Sequence, residues 1–340
     1  MRTGGERRGS VRPGGPTPSA TLLYLSRRDV ESLEIPMSDV IAAVEGAFRE
    51  RANGTAEMPP KPGVHPLPDA FIHAMPAFLG GMGAAGMKWV SGFPTNQARG
   101  LPYISGLFIL NDVGTGFPLA VMDATWITGA RTGAATAVAA RHLARPDSST
   151  VGIVACGVQG RTNLEALATL FPLARVHAYD IVHERARAYA AEMGPPLGLE
   201  VVPVATPEEA LRGMDLVVTS GPILKHPDPI IPAGWLAPGA FATALDFDSY
   251  WSPEALAEAD LLATDDHAQL EYYRSIGYFA RTPEPYADLG ELVTGQKAGR
   301  ASDEQRTMSI NLGLAVEDVA TGRLVYERAL AAGVGVELAL

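Results

Sequence analysis

A chain of 340 residues with 47% hydrophobic content can fill the cores of two domains of ordinary size. Its formal net charge of -11 argues against nucleic acid or an anionic membrane as partner, because both are gripped by clustered Lys and Arg. Cys156 is the one cysteine and can form no internal disulfide, no apolar run reaches the roughly 18 residues that span a bilayer, and the N-terminus lacks the apolar core of a secretory signal, so a soluble cytoplasmic protein is expected.

Residues 1–20, "MRTGGERRGSVRPGGPTPSA", are rich in Gly, Pro and Arg and offer little apolar surface to offset the entropy of ordering; a disordered tail is expected. "TLLYL" then reads as a strand. Ser38 stands as a cap before "DVIAAVEGAFRERANG", where Val40, Ile41, Val44 and Phe48 recur at helical spacing and Asn53-Gly54 supplies a stop. Four strands follow in "AFIHAMPAFLG", "AAGMKWVSGF", "YISGLFILND" and "GFPLAVMD", and their consecutive order predicts an antiparallel sheet. "DATWITGARTGAATAVAARHLA" contains a helix of small residues that ends before Pro146.

Beyond Pro146 strands and helices alternate, which predicts a parallel sheet with helices on both faces over residues 146–318. The strands are "TVGIVAC", "RVHAYD", "LEVVPV", "MDLVVTSG", "GAFATALDFD" and "ADLLATDD". A final helix, "INLGLAVEDVATGRLVYERALAAG", leaves this unit and is expected to pack back on the first one.

The stretch "VGIVACGVQGR" opens the alternating unit and nearly matches a dinucleotide-binding turn. Gly157 and Gly160 stand at the second and third glycine positions, with Val158 and Gln159 between them, and Ala155 replaces the first. Asp180 ends the next strand 23 residues after Gly157, the place of the acid that binds ribose hydroxyls. A carboxylate there repels a 2'-phosphate, so NAD is the expected cofactor. The alternative is that the glycines serve only tight helix-strand packing.

Three cations are oddly placed. Lys88 sits in the strand "GMKWVSG", sharing a face with Gly86 and Val90; Arg131 lies in the small-residue helix with Ile127, Thr128, Ala134 and Ala135 as neighbours; Lys61 stands in the proline-framed loop "EMPPKPG". Each either meets an anionic ligand or is a surface charge or internal ion pair. His73 alternates with Phe71 and Met75 and reads as a pocket-wall or core residue with a pKa suited to proton transfer. Trp89, Trp126 and His142 read as packing. The other histidines show no ligand spacing, so no metal site is expected.

From "MPPK" through "MKWVSGFP", "RTGAATAVAARHLA", "VACGVQGR" and "LVTGQKAGR" to "GLAVEDV", the chain resembles the ornithine cyclodeaminase/mu-crystallin family over everything after residue 21. The resemblance implies a Rossmann-type dinucleotide-binding domain plus an α+β domain, residues 21–145 together with 319–340, that binds substrate and forms a homodimer. It assigns Lys88 and Arg131 to the carboxylate of a small-molecule amino or imino acid, Lys61 to the same task in place of an arginine, Asp248 to the reacting amine, and Ser220-Gly221 to the nicotinamide pocket. His73 replaces a glutamate of the ornithine enzymes, and "DSYWS" replaces their Asp-x-Pro-Gly-Lys stretch. The expected activity is an NAD-dependent cyclodeamination of a basic amino acid. Amino-acid dehydrogenation, imine reduction, and a mu-crystallin-like binding protein without turnover stand as alternatives.

Overall fold

The computed structural model describes residues 20–340, so the expected tail lies outside the described residues save for Ala20. In chain order the first part comprises β1 (Thr21–Leu25), α1 (Arg27–Ser32), α2 (Met37–Ala52), β2 (Ala56–Glu57), β3 (Gly63–Val64), β4 (Phe71–Leu79), β5 (Ala84–Gly92), β6 (Ile104–Asn111), β7 (Pro118–Asp123) and α3 (Thr125–Leu143). There follow β8 (Thr150–Val154), α4 (Val158–Ala168), β9 (Arg175–Tyr179), α5 (His183–Leu197), β10 (Glu200–Pro203), α6 (Pro207–Leu211), β11 (Leu216–Thr219), β12 (Phe241–Ala244) and α7 (Pro253–Ala257). The chain closes with β13 (Leu261–Thr264), α8 (His267–Ser275), β14 (Ala287–Asp288), α9 (Leu289–Val293), β15 (Thr307–Ile310), α10 (Ala315–Ala332) and β16 (Val336–Ala339).

The first sheet runs β16-β1-β7-β6-β5-β4-β2, with β3 also on β4. Strands β4 to β7 form the expected antiparallel meander, but β1 joins β7 in parallel, so the sheet is mixed. Along β5, Ala84, Gly86, Lys88 and Val90 are buried on the inner face. Because Lys88 points inward, the pleat turns Trp89 outward: it is 46% exposed, opposite an equally exposed Leu107 of β6, which corrects its reading as a packing residue. The cap of α2 is also corrected. Pro36 is the N-cap, its extended backbone starting the helix at Met37, and the hydroxyl of Ser38 reaches only Asp39.

The second sheet is parallel throughout, in the order β10-β9-β8-β11-β12-β15-β13-β14. Strand order reverses between β8 and β11, the Rossmann-type arrangement in which ligands bind beyond the carboxyl ends of the strands. Strand β15 was not legible as a strand; it slots between β12 and β13, and Ile310 ends it rather than starting the last helix. Helix α10 begins at Ala315 and packs on β4, β5, β6, α2 and α3, as expected of a segment returning to the first sheet.

Helix α3 lies between the two sheets' layers, and Ile127 to Ala140 are all buried. Its small residues follow from that sandwiching: a Cβ on Gly133 would come within 2.3 Å of the Thr162 carbonyl oxygen of α4. Among the described residues no helix is long and apolar enough to cross a membrane.

Candidate active site

The carboxyl ends of β8, β11, β12, β15 and β13 form one edge. They present the segments Ala155–Gly157, Ser220–Gly221, Asp246–Asp248, Asn311–Gly313 and Asp265 side by side, in that order. Every residue assigned above to the cofactor or to the reacting amine lies on this edge or beside it; Lys61 and Arg131 reach it at Gly313, and Lys88 meets Asp318 in the first turn of α10.

The turn after β8 carries the features of a phosphate cradle. Gly157 is the N-cap of α4, with no side-chain cap on the helix, and a Cβ built on it would meet nothing within 4 Å. Its own backbone is extended, so neither conformation nor packing calls for glycine; open space in front of an uncapped helix N-terminus suits an approaching anion. Gly160 differs, since its Cβ would lie 2.7 Å from the Ala155 carbonyl oxygen. Asp180 is buried at the end of β9, where Oδ2 accepts from the Cys156 amide at 3.0 Å and Oδ1 from the Val182 amide at 2.9 Å. On the other side, Ser220 Oγ donates to the Ala155 carbonyl at 3.1 Å, joining the β11 loop to the turn.

Ala155, which stands where the first glycine of the turn was missing, has φ +79°. An L side chain is strained there by roughly 1 kcal/mol. Ala155→Gly is therefore expected to raise the unfolding free energy by about 1 kcal/mol, read as a higher urea midpoint at unchanged slope.

Lys88 is 1% exposed in the middle of β5, between Met75 and Phe108, and its Nζ donates to Asp318 Oδ1 at 2.7 Å. Arg131 donates from Nη1 to Glu317 Oε2 at 2.8 Å, and its Nε lies 3.1 Å from Asp318 Oδ1. Both acids sit in the first turn of α10, where the helix dipole favours negative charge. Lys61 Nζ donates to the carbonyls of Leu312 (2.8 Å) and Gly313 (3.0 Å) and lies 5.3 Å from the centre of the Tyr273 ring. Asp265 Oδ2 accepts from the Gly313 amide at 2.6 Å. Three cations and three acids are thus buried together around the start of α10.

Burial sets the protonation of this cluster. Desolvation, with Arg131 nearby, pushes the Lys88 amine down to about 7; desolvation pushes Lys61 down to about 8, with Asp265 opposing. Asp265 is driven well above the usual carboxylate range and Glu317 is raised, both by burial first. His73, stacked on Phe71 at 4.3 Å between centroids, is held down to about 3 by burial and then by Lys61, His65 and Lys88; its imidazole is neutral. Asp248 is buried after Phe247, whose φ is +61°. Its Oδ2 accepts from Thr282 Oγ1 at 3.1 Å, and burial raises its pKa. Arg131 Nε, Asp318 Oδ2, Asp248 Oδ1 and Gln269 Nε2 are buried without a hydrogen-bond partner within the chain. Of these, Asp248 Oδ1 lies on the sheet edge and Asp318 Oδ2 in the first turn of α10, each an acceptor open to a ligand's donor.

Residues 22 to 333 match the model of the ornithine cyclodeaminase/mu-crystallin family. The chain belongs to that family. An alanine dehydrogenase of Archaeoglobus fulgidus is 40% identical over 324 residues, covering 92% of this chain and 97% of the relative. The solved Delta(1)-pyrroline-2-carboxylate reductase of Thermococcus litoralis, in complex with NADH and L-proline, superposes with a TM-score of 0.84 at 34% identity, covering 93% of this chain and 99% of the other. An archaeal alanine dehydrogenase dimer with bound NAD gives a TM-score of 0.83 at 37% identity, covering 94% and 99%.

Within this family member, sequence reasoning singled out the cations but not their counter-charges. Glu317 and Asp318 were visible only as part of the motif "GLAVEDV", and two charges in the first turn of a helix look like ordinary capping. Asp265 and Asp246 carried no signal at all. His267, Asp288 and Glu291 bring possible ligand atoms within 4.8 Å of one another, but Asp288 Oδ1 accepts from the Glu291 amide and Glu291 Oε2 from the Asp288 amide, so these carboxylates form the capping box of α9.

Proposed function

We propose that the chain is an NAD-dependent oxidoreductase that interconverts a small α-amino acid and its α-imino acid, in the manner of an amino-acid dehydrogenase or imine reductase. The observation that carries this reading is one sheet edge that holds the dinucleotide turn, Asp248 and the Gly313 loop against which buried Lys61 and Arg131 lie. NAD, when bound, takes a hydride from the substrate α carbon or returns one to it. The rest is the work of the chain's own side chains.

Gly157, Val158, Gln159 and Gly160 offer backbone amides and open space to the pyrophosphate, and Asp180 offers its remaining lone pairs to the adenine ribose. Lys88, Arg131 and Lys61 hold the substrate carboxylate. Burial drives Asp265 well above the usual carboxylate range, which lessens the negative charge set against these cations. Asp248 has a free Oδ1 and a raised pKa, which suit it to take a proton from the substrate ammonium or to steady the cationic imine carbon and nitrogen.

Cyclodeamination of ornithine or lysine is the second reading, favoured by the family's name. Against it, the residue beside Lys61 and Lys88 that replaces a glutamate is a neutral histidine, which gives a distal ammonium no counter-charge. The relatives at 40% and 34% identity, described as a dehydrogenase and a reductase, favour the first reading. A homodimer is part of the proposal: the exposed pair Trp89 and Leu107 leaves an apolar outer face on the first sheet, and one similar structure is described as a dimer.

Mixing purified protein with NAD and either L-alanine, L-proline, ornithine or lysine, while following NADH absorbance and ammonia, tests the proposal. NADH in step with a neutral amino acid is the expected result. Ammonia and a cyclic product from a diamine, with no net NADH, would move the assignment to the cyclodeaminase. Neither signal with any substrate, alongside tight NAD binding, would leave a binding protein.

A further inference from the structure

The buried acid Asp246 takes no part in the chemistry above, yet it is wholly enclosed and hydrogen-bonded on both oxygens. Its Oδ2 accepts from the Gly221 amide at 2.9 Å, and its Oδ1 accepts from Thr219 Oγ1 at 2.8 Å. Thr219 Oγ1 in turn accepts from the Trp251 indole N–H at 3.0 Å. From this geometry we infer that Asp246 is a positioning residue: a single carboxylate that ties the loop after β11, on the nicotinamide side of the cofactor crevice, to the segment that carries Asp248.

The hydrogen bonds favour the ionised form, which accepts both. A proton on Oδ2 would face the Gly221 N–H, which can only donate. A proton on Oδ1 would face the Thr219 hydroxyl, which already accepts from Trp251 and would have to turn its own hydrogen away from Asp246. The carboxylate alone accepts from both donors; the neutral acid would keep the Thr219 contact only by donating to the hydroxyl's second lone pair, which leaves the Thr219 hydrogen without its acceptor. Burial opposes that form and, with Asp248 two residues away, raises Asp246 to about 7. Tyr250 is the other titratable group facing it, and its phenol stays protonated because burial and Asp246 both push its pKa up. The tether is therefore strongest above neutrality, where both bonds are charge-assisted, and weaker below it.

The place of the tether defines which half of the cofactor it serves. Asp180 lies on the β9 side of the β8 turn and Gly221 on the β11 side, so the adenine half is remote from Asp246 and the nicotinamide half is beside it. The inference rests on the cofactor reading above. A structural role alone would weaken both halves together, whereas a positioning role weakens only the ligand that has a nicotinamide.

Calorimetric titration with NAD and with ADP-ribose separates these cases. If only the ionised protein accepts the nicotinamide half, the wild-type Kd for NAD rises about tenfold between pH 8 and pH 6, and that for ADP-ribose stays within about twofold. Asp246→Asn, which keeps the shape but sets an NH2 group against either Thr219 or Gly221, is expected to bind NAD about tenfold more weakly at pH 8, without the pH dependence, and to bind ADP-ribose like the wild type. Equal NAD affinity and the same pH profile in the variant would overturn the inference, as would parallel changes for both ligands in the wild type. Should the variant not fold, the wild-type comparison of the two ligands carries the test by itself. A wild type that binds neither ligand at any pH would remove the cofactor reading, and the tether with it.

Discussion

Arg131→Ala is expected to lower the unfolding free energy by about 3–5 kcal/mol, the usual consequence of removing one partner from a buried ion pair. The loss is large because two acids depend on this guanidinium: Glu317 and Asp318 are both fully buried, and Asp318 Oδ2 already lacks a partner. Without Arg131, which holds Glu317 down against burial, that acid would move further toward protonation, so the variant is expected to recover part of its stability as the pH falls toward 5. The sign follows from linkage: groups whose pKa rises in the folded state bind protons there that the unfolded chain does not, and folding gains as pH falls. Arg131→Lys, with a point charge in place of a planar fork, is expected to fall between the two. Urea unfolding at pH 5 and pH 7.5 measures all three.

The second large effect concerns catalysis. Lys88→Met removes a buried cation while nearly preserving its volume, and a charge-assisted hydrogen bond to a desolvated carboxylate is worth about 1.5–3 kcal/mol, so the specificity constant is expected to drop roughly 10- to 150-fold with NAD affinity unchanged. The wild type carries a related signature. With Lys88 near 7 and Lys61 near 8, neutral amines replace ammonium groups as the pH rises, and the KM for the amino acid is expected to climb between pH 7 and pH 9. Lys88→Met should lose the earlier part of that climb and keep the part due to Lys61. An unaltered profile in the variant would place the carboxylate elsewhere.

Much of this arrangement could be read from local pattern. The alternation of strand and helix after Pro146 and the partial glycine turn were sufficient for a parallel second sheet and for strands β8 to β13, since β8, β9 and β10 pair in chain order, as do β11 and β12. The inward direction of Lys88 followed from alternation in β5, and the buried face of Arg131 from its small neighbours in α3. The same alternation, applied one residue on, already requires Trp89 to point outward. What local pattern cannot supply is partnership across the chain: Lys88 and Asp318 are 230 residues apart, and nothing in either neighbourhood names the other. Strand β15 was lost for a related reason, since four residues buried on both faces show no period. Asp246 stood inside the stretch "GAFATALDFD" read as a strand, and nothing local told its role until its two donors were in view.

The first sheet has no continuous stretch of chain to itself. Strand β1 pairs with β16, setting Thr21 against Ala339, and α10 must arrive before Lys88 and Arg131 find any acid. As the chain leaves the ribosome, the parallel sheet between Thr150 and Ile310 has all its strands in hand, while the meander made earlier still exposes its inner face and two unpaired cations. Completing it closes a loop of more than 300 residues, a step of high contact order that is slow and late. Synthesis that stops short of α10 would therefore leave a folded nucleotide-binding unit attached to an open, sticky sheet, the kind of intermediate that chaperones retain.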